Sequence, residues 1–288
     1  MKKLRQIITQ IRADSISTPD ELNDLLWQLI CYSPKMPLRL QQEQLLNEAE
    51  KFSQTVKDDY FAEKELVFNG FKWGNGSRKL LLTHGWGSKA ADFMEIINAL
   101  KEINDLEIIA FDAPSNGSSE GELSNLLLFI QSIEAITLHF GEPDILVGHS
   151  LGAMANMIAL SEMKITPSLL ISIAPLIRLK ENFEYTMNIV GVPQMAQDNF
   201  FKSFEEKFNR QASHYNLIDW YILDKKVKHW LAYDENDHIS TYNYLKEFLD
   251  ANQSIVSQKY EGVGHERMIK SAQVINDLVE VVKASLIG

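Results

Sequence analysis

The spacing of hydrophobic positions changes character along the chain. In the first sixty residues it is helical. Leu22, Leu25, Leu26, Leu29 and Ile30 fall on one face of a 3.6-residue repeat. Thr18-Pro19-Asp20-Glu21 reads as the start of that helix, with Thr18 as N-cap, Pro19 in the first turn and Glu21 closing a capping box. Ser33-Pro34 and Pro37 break the repeat, and a second helical run is expected from about Leu38 to Val56. Residues 1–60 are therefore expected to form a helical extension packed on or beside a main domain of residues 61–288.

From about Glu63 the apolar runs shorten to strand length. Glu65–Phe68 and Phe71–Trp73 predict a hairpin turning at Asn69-Gly70. Strands are expected at Lys79–Thr83, Glu107–Phe111, Asp144–Val147, Ser168–Ile173, Lys228–Ala232 and Ser257–Tyr260. Helical patterns fall near Ala90–Leu100, at Leu123–Phe140, after Ser150, and at Ala272–Ser285. This alternation predicts an α/β fold with a mostly parallel central sheet and helices on both faces. Residues 176 to about 226 interrupt the alternation and are too many for a loop inside a compact domain. They carry Phe183, Tyr185, Phe200, Phe204, Phe208 and Trp220, and are expected to form a helical lid over one end of the sheet.

Composition narrows the function. The chain has 288 residues, 45% of them hydrophobic and 23% charged, the profile of an ordinary globular protein. A formal net charge of −11 argues against nucleic acid as a partner. No run of about 18 uncharged apolar residues occurs, so no membrane span is expected. The single cysteine, Cys31, cannot form an internal disulfide, which favours a reducing, cytoplasmic setting. No Cys/His cluster has metal-ligand spacing, and no cofactor or metal is expected.

The chemistry concentrates at strand ends. Gly148-His149-Ser150-Leu151-Gly152 lies between the apolar Ile145–Val147 and a helical pattern. A serine at such a strand-to-helix turn is held exposed on a strained backbone, and the glycines two residues either side avoid collisions with neighbouring chain. Thr83-His84-Gly85-Trp86-Gly87 ends an earlier strand. The backbone N–H groups of Trp86 and Leu151 are candidates for an oxyanion hole, with His84 bracing the loop. A nucleophilic serine needs a base. Of seven histidines, His265 stands in the glycine-flanked Gly262-Val263-Gly264-His265 after the last strand, free to reach a neighbouring strand's tip. The acid that would orient it is sought among Asp234, Glu235 and Asp237, which follow Lys228–Ala232 in the chain order serine, acid, histidine. The lid aromatics offer an apolar substrate pocket, with Trp86, Phe183 and Phe204 as candidates, or else form the lid's own core.

From about Phe68 onward these motifs resemble the α/β-hydrolase superfamily. HGWGS (84–88) resembles its oxyanion loop, FDAPSNGSSEG (111–121) its DxPxxGxSxG turn, and GHSLG (148–152) its nucleophile elbow. YDENDHIS (233–240) resembles its acid loop and GVGHERM (262–268) its histidine loop. Tyr233-Asp234 stands where His-Gly is usual, and Asn116 where histidine is common. The nearer resemblance is to uncharacterised bacterial hydrolases described as esterases. It implies Ser150 as nucleophile, His265 as base and Asp237 as acid, with Asp234 in reserve. It implies a serine hydrolase acting on a small-molecule ester through an acyl-enzyme. A thioesterase, an amidase, a carbon–carbon hydrolase or a non-catalytic binding protein could carry the same motifs.

Overall fold

The structure, a computed structural model, describes residues 2–13, 18–224 and 226–287. Met1 and residues 14–17 of the expected extension, Lys225 of the expected lid, and Gly288 lie outside the described residues. Eight strands form one sheet: β1 (Glu50–Asp58), β2 (Lys64–Trp73), β3 (Arg78–Thr83), β4 (Leu106–Asp112), β5 (Ile145–His149), β6 (Leu169–Ile173), β7 (Lys228–Tyr233) and β8 (Val256–Lys259). Their spatial order is β1-β2-β4-β3-β5-β6-β7-β8. The β1–β2 and β2–β4 pairs are antiparallel and the others parallel.

The two-residue period of the strands divides the core. Leu81, Ile109, Leu146, Leu170 and Leu231 face one side, where α5 (Leu126–Phe140), α6 (Leu151–Met163) and α10 (Tyr242–Ala251) pack. Leu80, Ile108, Val147, Ile171 and Ala232 face the other, against α4 (Met94–Leu100) and α11 (Ala272–Ile287). The central parallel strands β5 and β6 are buried at every position, so they read as apolar runs, whereas the edge strand β8 is exposed throughout. No helix among the described residues is long and apolar enough to cross a membrane.

The N-terminal residues contain α1 (Lys2–Ile11), α2 (Pro19–Cys31) and α3 (Leu40–Glu48). Thr18 caps α2 as its sequence indicated, its Oγ1 accepting the Glu21 N–H at 3.2 Å. Two expectations are corrected. The helical run expected up to Val56 stops at Glu48, and residues 50–58 form strand β1. Phe52, Gln54, Val56 and Asp58 are the more buried positions and alternate with exposed residues, a strand period that the flanking charges disguise. The hairpin expected at Asn69-Gly70 is instead one continuous strand, β2. Gly70 pairs directly with Phe52, and a Cβ there would lie 2.0 Å from Phe52 Cζ. This glycine makes room for a ring across the strand pair, a use of glycine distinct from turning the chain.

The insertion leaves the C-terminal end of β6 and forms α7 (Leu179–Val190), α8 (Gln194–Phe208) and α9 (Leu217–Trp220) before β7. Trp27 of α2 packs against Phe200, Phe204 and Phe208 of α8. The Arg12 guanidinium donates to the carbonyls of Val190 and Ile189, at the C-terminal end of α7. Helices α1, α2, α7 and α8 thus share one core.

Candidate active site

Strand β5 runs directly into Ser150, whose φ of 54° and ψ of −119° lie outside the ordinary regions for a residue with a side chain. Holding such a conformation costs on the order of 1–3 kcal/mol. The surroundings enforce it. The Ser150 N–H donates to the Ile173 carbonyl at 3.0 Å, and its own carbonyl accepts from the Leu176 N–H at 3.1 Å. A Cβ on Gly148 would lie 2.5 Å from Ala153 Cα, and one on Gly152 would lie 2.2 Å from the Thr83 carbonyl oxygen. The two glycines let α6 start hard against β3 and β5, as the elbow reading required.

The loop after β3 lies on this turn. A Cβ on Gly85 would come within 3.0 Å of Ser150 Cβ. Buried His84 braces the loop: its Nδ1–H donates to the Gly85 carbonyl at 2.7 Å, and its Nε2 accepts the Ala113 N–H at 3.0 Å. Burial pushes the His84 pKa down and favours the neutral ring those two bonds require. Among the described residues, no hydrogen bond engages the backbone N–H of Trp86 or Leu151. The Trp86 side chain is exposed.

Strand β7 ends in a turn that holds two buried carboxylates. Asp237 Oδ1 accepts the N–H groups of Ile239 and Ser240 at 2.8 and 3.0 Å. Ser240 Oγ in turn donates to the carbonyls of Ala174 and Pro175, fixing the turn to the end of β6. Asp237 Oδ2 lies 2.6 Å from His265 Nδ1, and His265 Nε2 lies 2.8 Å from Ser150 Oγ. Burial works to raise the Asp237 pKa, but its bond to His265, that ring's charge and the two backbone N–H groups outweigh it and hold the pKa below the usual value. Asp237 therefore stays ionised and accepts the Nδ1 proton, which leaves Nε2 as an acceptor for the Ser150 hydroxyl. A group placed this way can take a proton from Ser150 and hold it beside a fixed negative charge.

Asp234 does not face the His265 ring. Its Oδ1 accepts the Asn236 N–H and its Oδ2 the Gly264 N–H, each at 2.9 Å. Of the three acidic candidates in this turn, Asp237 is the one bonded to His265, while Glu235 is exposed. His238 is exposed too. The pocket candidates divide. Phe204 is buried against Trp27 and Phe208, so it belongs to the lid's core and does not form a free wall. Phe183 is half-buried at the margin of the same stack, 6.0 Å from the Phe204 ring. A small cleft missed by the sequence reading runs beside the acid turn, lined by Leu176, Ile177, Arg178, Tyr185, Ile239 and Tyr244. Its members come from two segments more than fifty residues apart, so no local signal marks it. Among the described residues, no three His, Cys, Asp or Glu side chains cluster as a metal site would require.

Comparison with known proteins agrees with this architecture. Over 140 residues the chain is 27% identical to the monoglyceride lipase of Rattus norvegicus, covering 45% of this chain and 46% of that protein. The chain thus spans about half the length of that curated relative. Among solved structures, an esterase of Pyrococcus furiosus superposes with a TM-score of 0.60 at 17% identity, covering 89% of this chain and 97% of that one. Est1E of Butyrivibrio proteoclasticus, solved with ferulic acid bound, superposes with a TM-score of 0.56 at 15% identity, covering 77% and 95%. At such identities these structures establish the shared fold alone. The profile of the Alpha/beta hydrolase family matches residues 80–236, more than half of the chain, and the protein belongs to that family.

Proposed function

We propose that the protein is a serine hydrolase that cleaves carboxylic esters of small, apolar substrates in a cytoplasmic setting. One observation carries the reading: Ser150 Oγ, His265 and Asp237 are joined by two consecutive short hydrogen bonds, of 2.8 and 2.6 Å, at the C-terminal ends of the strands. His265 takes the Ser150 proton as the oxygen attacks the acyl carbonyl. The developing oxyanion is held by the N–H groups of Trp86 and Leu151, the second at the start of the 13-residue α6. His265 then passes its proton to the leaving alcohol, and the acyl group stays on Ser150. Water, deprotonated by His265, releases it. The exposed Trp86, Tyr185 and Ile239 support an apolar substrate, since the last two line the cleft beside the acid turn.

The test is labelling with a fluorophosphonate probe together with hydrolysis of p-nitrophenyl esters. The wild type is expected to be labelled and active, and Ser150→Ala to be neither. Labelling that persists in Ser150→Ala, or a wild type inert to both reagents, would reject the assignment.

A further inference from the structure

We propose that His149 and Asp234 are positioning residues that clamp the backbone around His265 and so fix the reach of its ring. The inference rests on His265 being the general base of the preceding reading. His265 must bond Ser150 and Asp237 at once, yet it follows Gly262 and Gly264, both at positive φ (71° and 72°). Glycines leave a chain the widest conformational freedom, so this loop needs outside support to hold a ring between two partners.

That support is visible at two points. The Gly264 N–H donates to Asp234 Oδ2 at 2.9 Å, and the His265 carbonyl accepts from His149 Nε2–H at 3.1 Å. Each anchor is tied to another member of the triad. His149 is bonded covalently to Ser150. The Asp234 backbone carbonyl accepts the Asp237 N–H at 3.1 Å, and its second carboxylate oxygen holds the Asn236 N–H within the same turn. The base is therefore registered to the nucleophile through one anchor and to the acid through the other. Both side chains are buried, where water competes weakly for these bonds.

The His149 ring is oriented at a cost. Its Nδ1 is buried with no hydrogen-bond partner among the described residues. An orphaned buried acceptor is unfavourable, and within the fold this orientation gains the bond to the His265 carbonyl. Burial, and next the nearby His265, push the His149 pKa down to about 3. The ring thus stays neutral and remains a single Nε2–H donor while His265 gains and loses its proton. Asp234 is also held below the usual carboxylate pKa: burial opposes this, but the N–H groups of Gly264, Asn236 and Val263 prevail.

The experiment pairs steady-state ester hydrolysis with proton NMR of the resting enzyme, following the downfield resonance of the proton shared by His265 Nδ1 and Asp237. Asp234→Ala and His149→Leu are expected to broaden or shift that resonance. They should also lower kcat on the order of 10²-fold, because a base displaced by about 1 Å costs that much. KM should stay within about twofold, since ground-state binding is untouched. His149→Gln, whose amide can place an N–H near the Nε2 position, should recover most of both signals. Asp234→Asn, which keeps one acceptor oxygen and is nearly isosteric, should fall between Asp234→Ala and the wild type and serves if Asp234→Ala does not fold. Wild-type resonance and kcat in the folded variants would overturn the clamp, as would His149→Gln behaving like His149→Leu. The NMR series needs no substrate, so it decides the clamp even if the wild type hydrolyses no ester and the preceding reading fails.

Discussion

The indole of Trp27 lies 5.9 Å from the ring of Phe204, inclined by 14°, so α2 of the N-terminal segment and α8 of the insertion are joined by a stacked aromatic pair. Both rings are buried, so the pair is a joint between two segments far apart in sequence. Trp27→Ala and Phe204→Ala should each destabilise the protein by about 3–5 kcal/mol, the usual cost of emptying an aromatic site. The double variant should lose clearly less than the sum, because both substitutions remove the same contact. Urea unfolding of the four proteins checks this. Strict additivity would mean that the two segments are energetically independent.

The two buried aspartates of the acid turn should separate kinetically. Asp237→Asn should lower kcat on the order of 10⁴-fold, by disturbing the His265 tautomer. Asp234→Asn should cost far less, since Asp234 bonds backbone N–H groups and not the ring. Steady-state kinetics on one ester ranks them. The reverse order would give Asp234 the acid's role.

Substrate length offers a third measurement. The exposed Trp86, Tyr185 and Ile239 provide apolar surface close to the site. Each added CH₂ that they cover contributes up to about 0.8 kcal/mol, so kcat/KM should rise roughly tenfold from acetyl to butyryl esters. Trp86→Ala and Phe183→Ser should flatten the trend while the acetyl ester is still turned over. Phe204→Ser should instead lower stability, given its place in the Trp27 stack. A wild type with equal kcat/KM across chain lengths would assign substrate choice to other residues.

Stability should fall in mild acid. Burial holds the pKa of His149, beside His265, and that of His229, which lies between Ser172 and Tyr221, at about 3. In the unfolded chain a histidine protonates near pH 6.5. Below that pH the unfolded state takes up protons that the folded state refuses. The contribution of neutral burial is thus complete above about pH 6.5 and declines as pH falls toward 3, by about 1.4 kcal/mol per pH unit for each histidine. The depressed carboxyls of Asp234 and Asp237 add to the loss only below about pH 4. Urea midpoints measured from pH 7 to pH 4.5 test this, and a flat profile would contradict it.

How much of this was legible in the sequence depends on where the determining contacts lie. The central parallel strands β5 and β6 were readable because burial on both faces makes each an apolar run. The elbow was readable because its glycines and serine are local requirements. Strand β1 was not, because Glu50, Lys51, Lys57 and Asp58 make an edge segment look like a polar helix. Gly70 was misread because its partner, Phe52, is eighteen positions away in the chain and directly opposite in the sheet. The support from Asp234 to the His265 loop was hidden for a similar reason. Its partners are backbone amides, which every residue but proline carries, so no side-chain pattern announces them.

Strand β1 also has a consequence for solubility. It covers the outer edge of β2 along all but its last residue, from Glu50 opposite Lys72 to Asp58 opposite Lys64. Without it, β2 would present a row of unpaired backbone donors and acceptors, alternating with Leu66, Phe68 and other apolar side chains, as a template for another chain. With it, the outermost strand at that end of the sheet carries charged side chains at both ends. Nascent chains make β1 before β2, so this cap is already available when the more sticky strand emerges. The leading segment then acts less as an appendage than as a built-in guard against edge-to-edge aggregation.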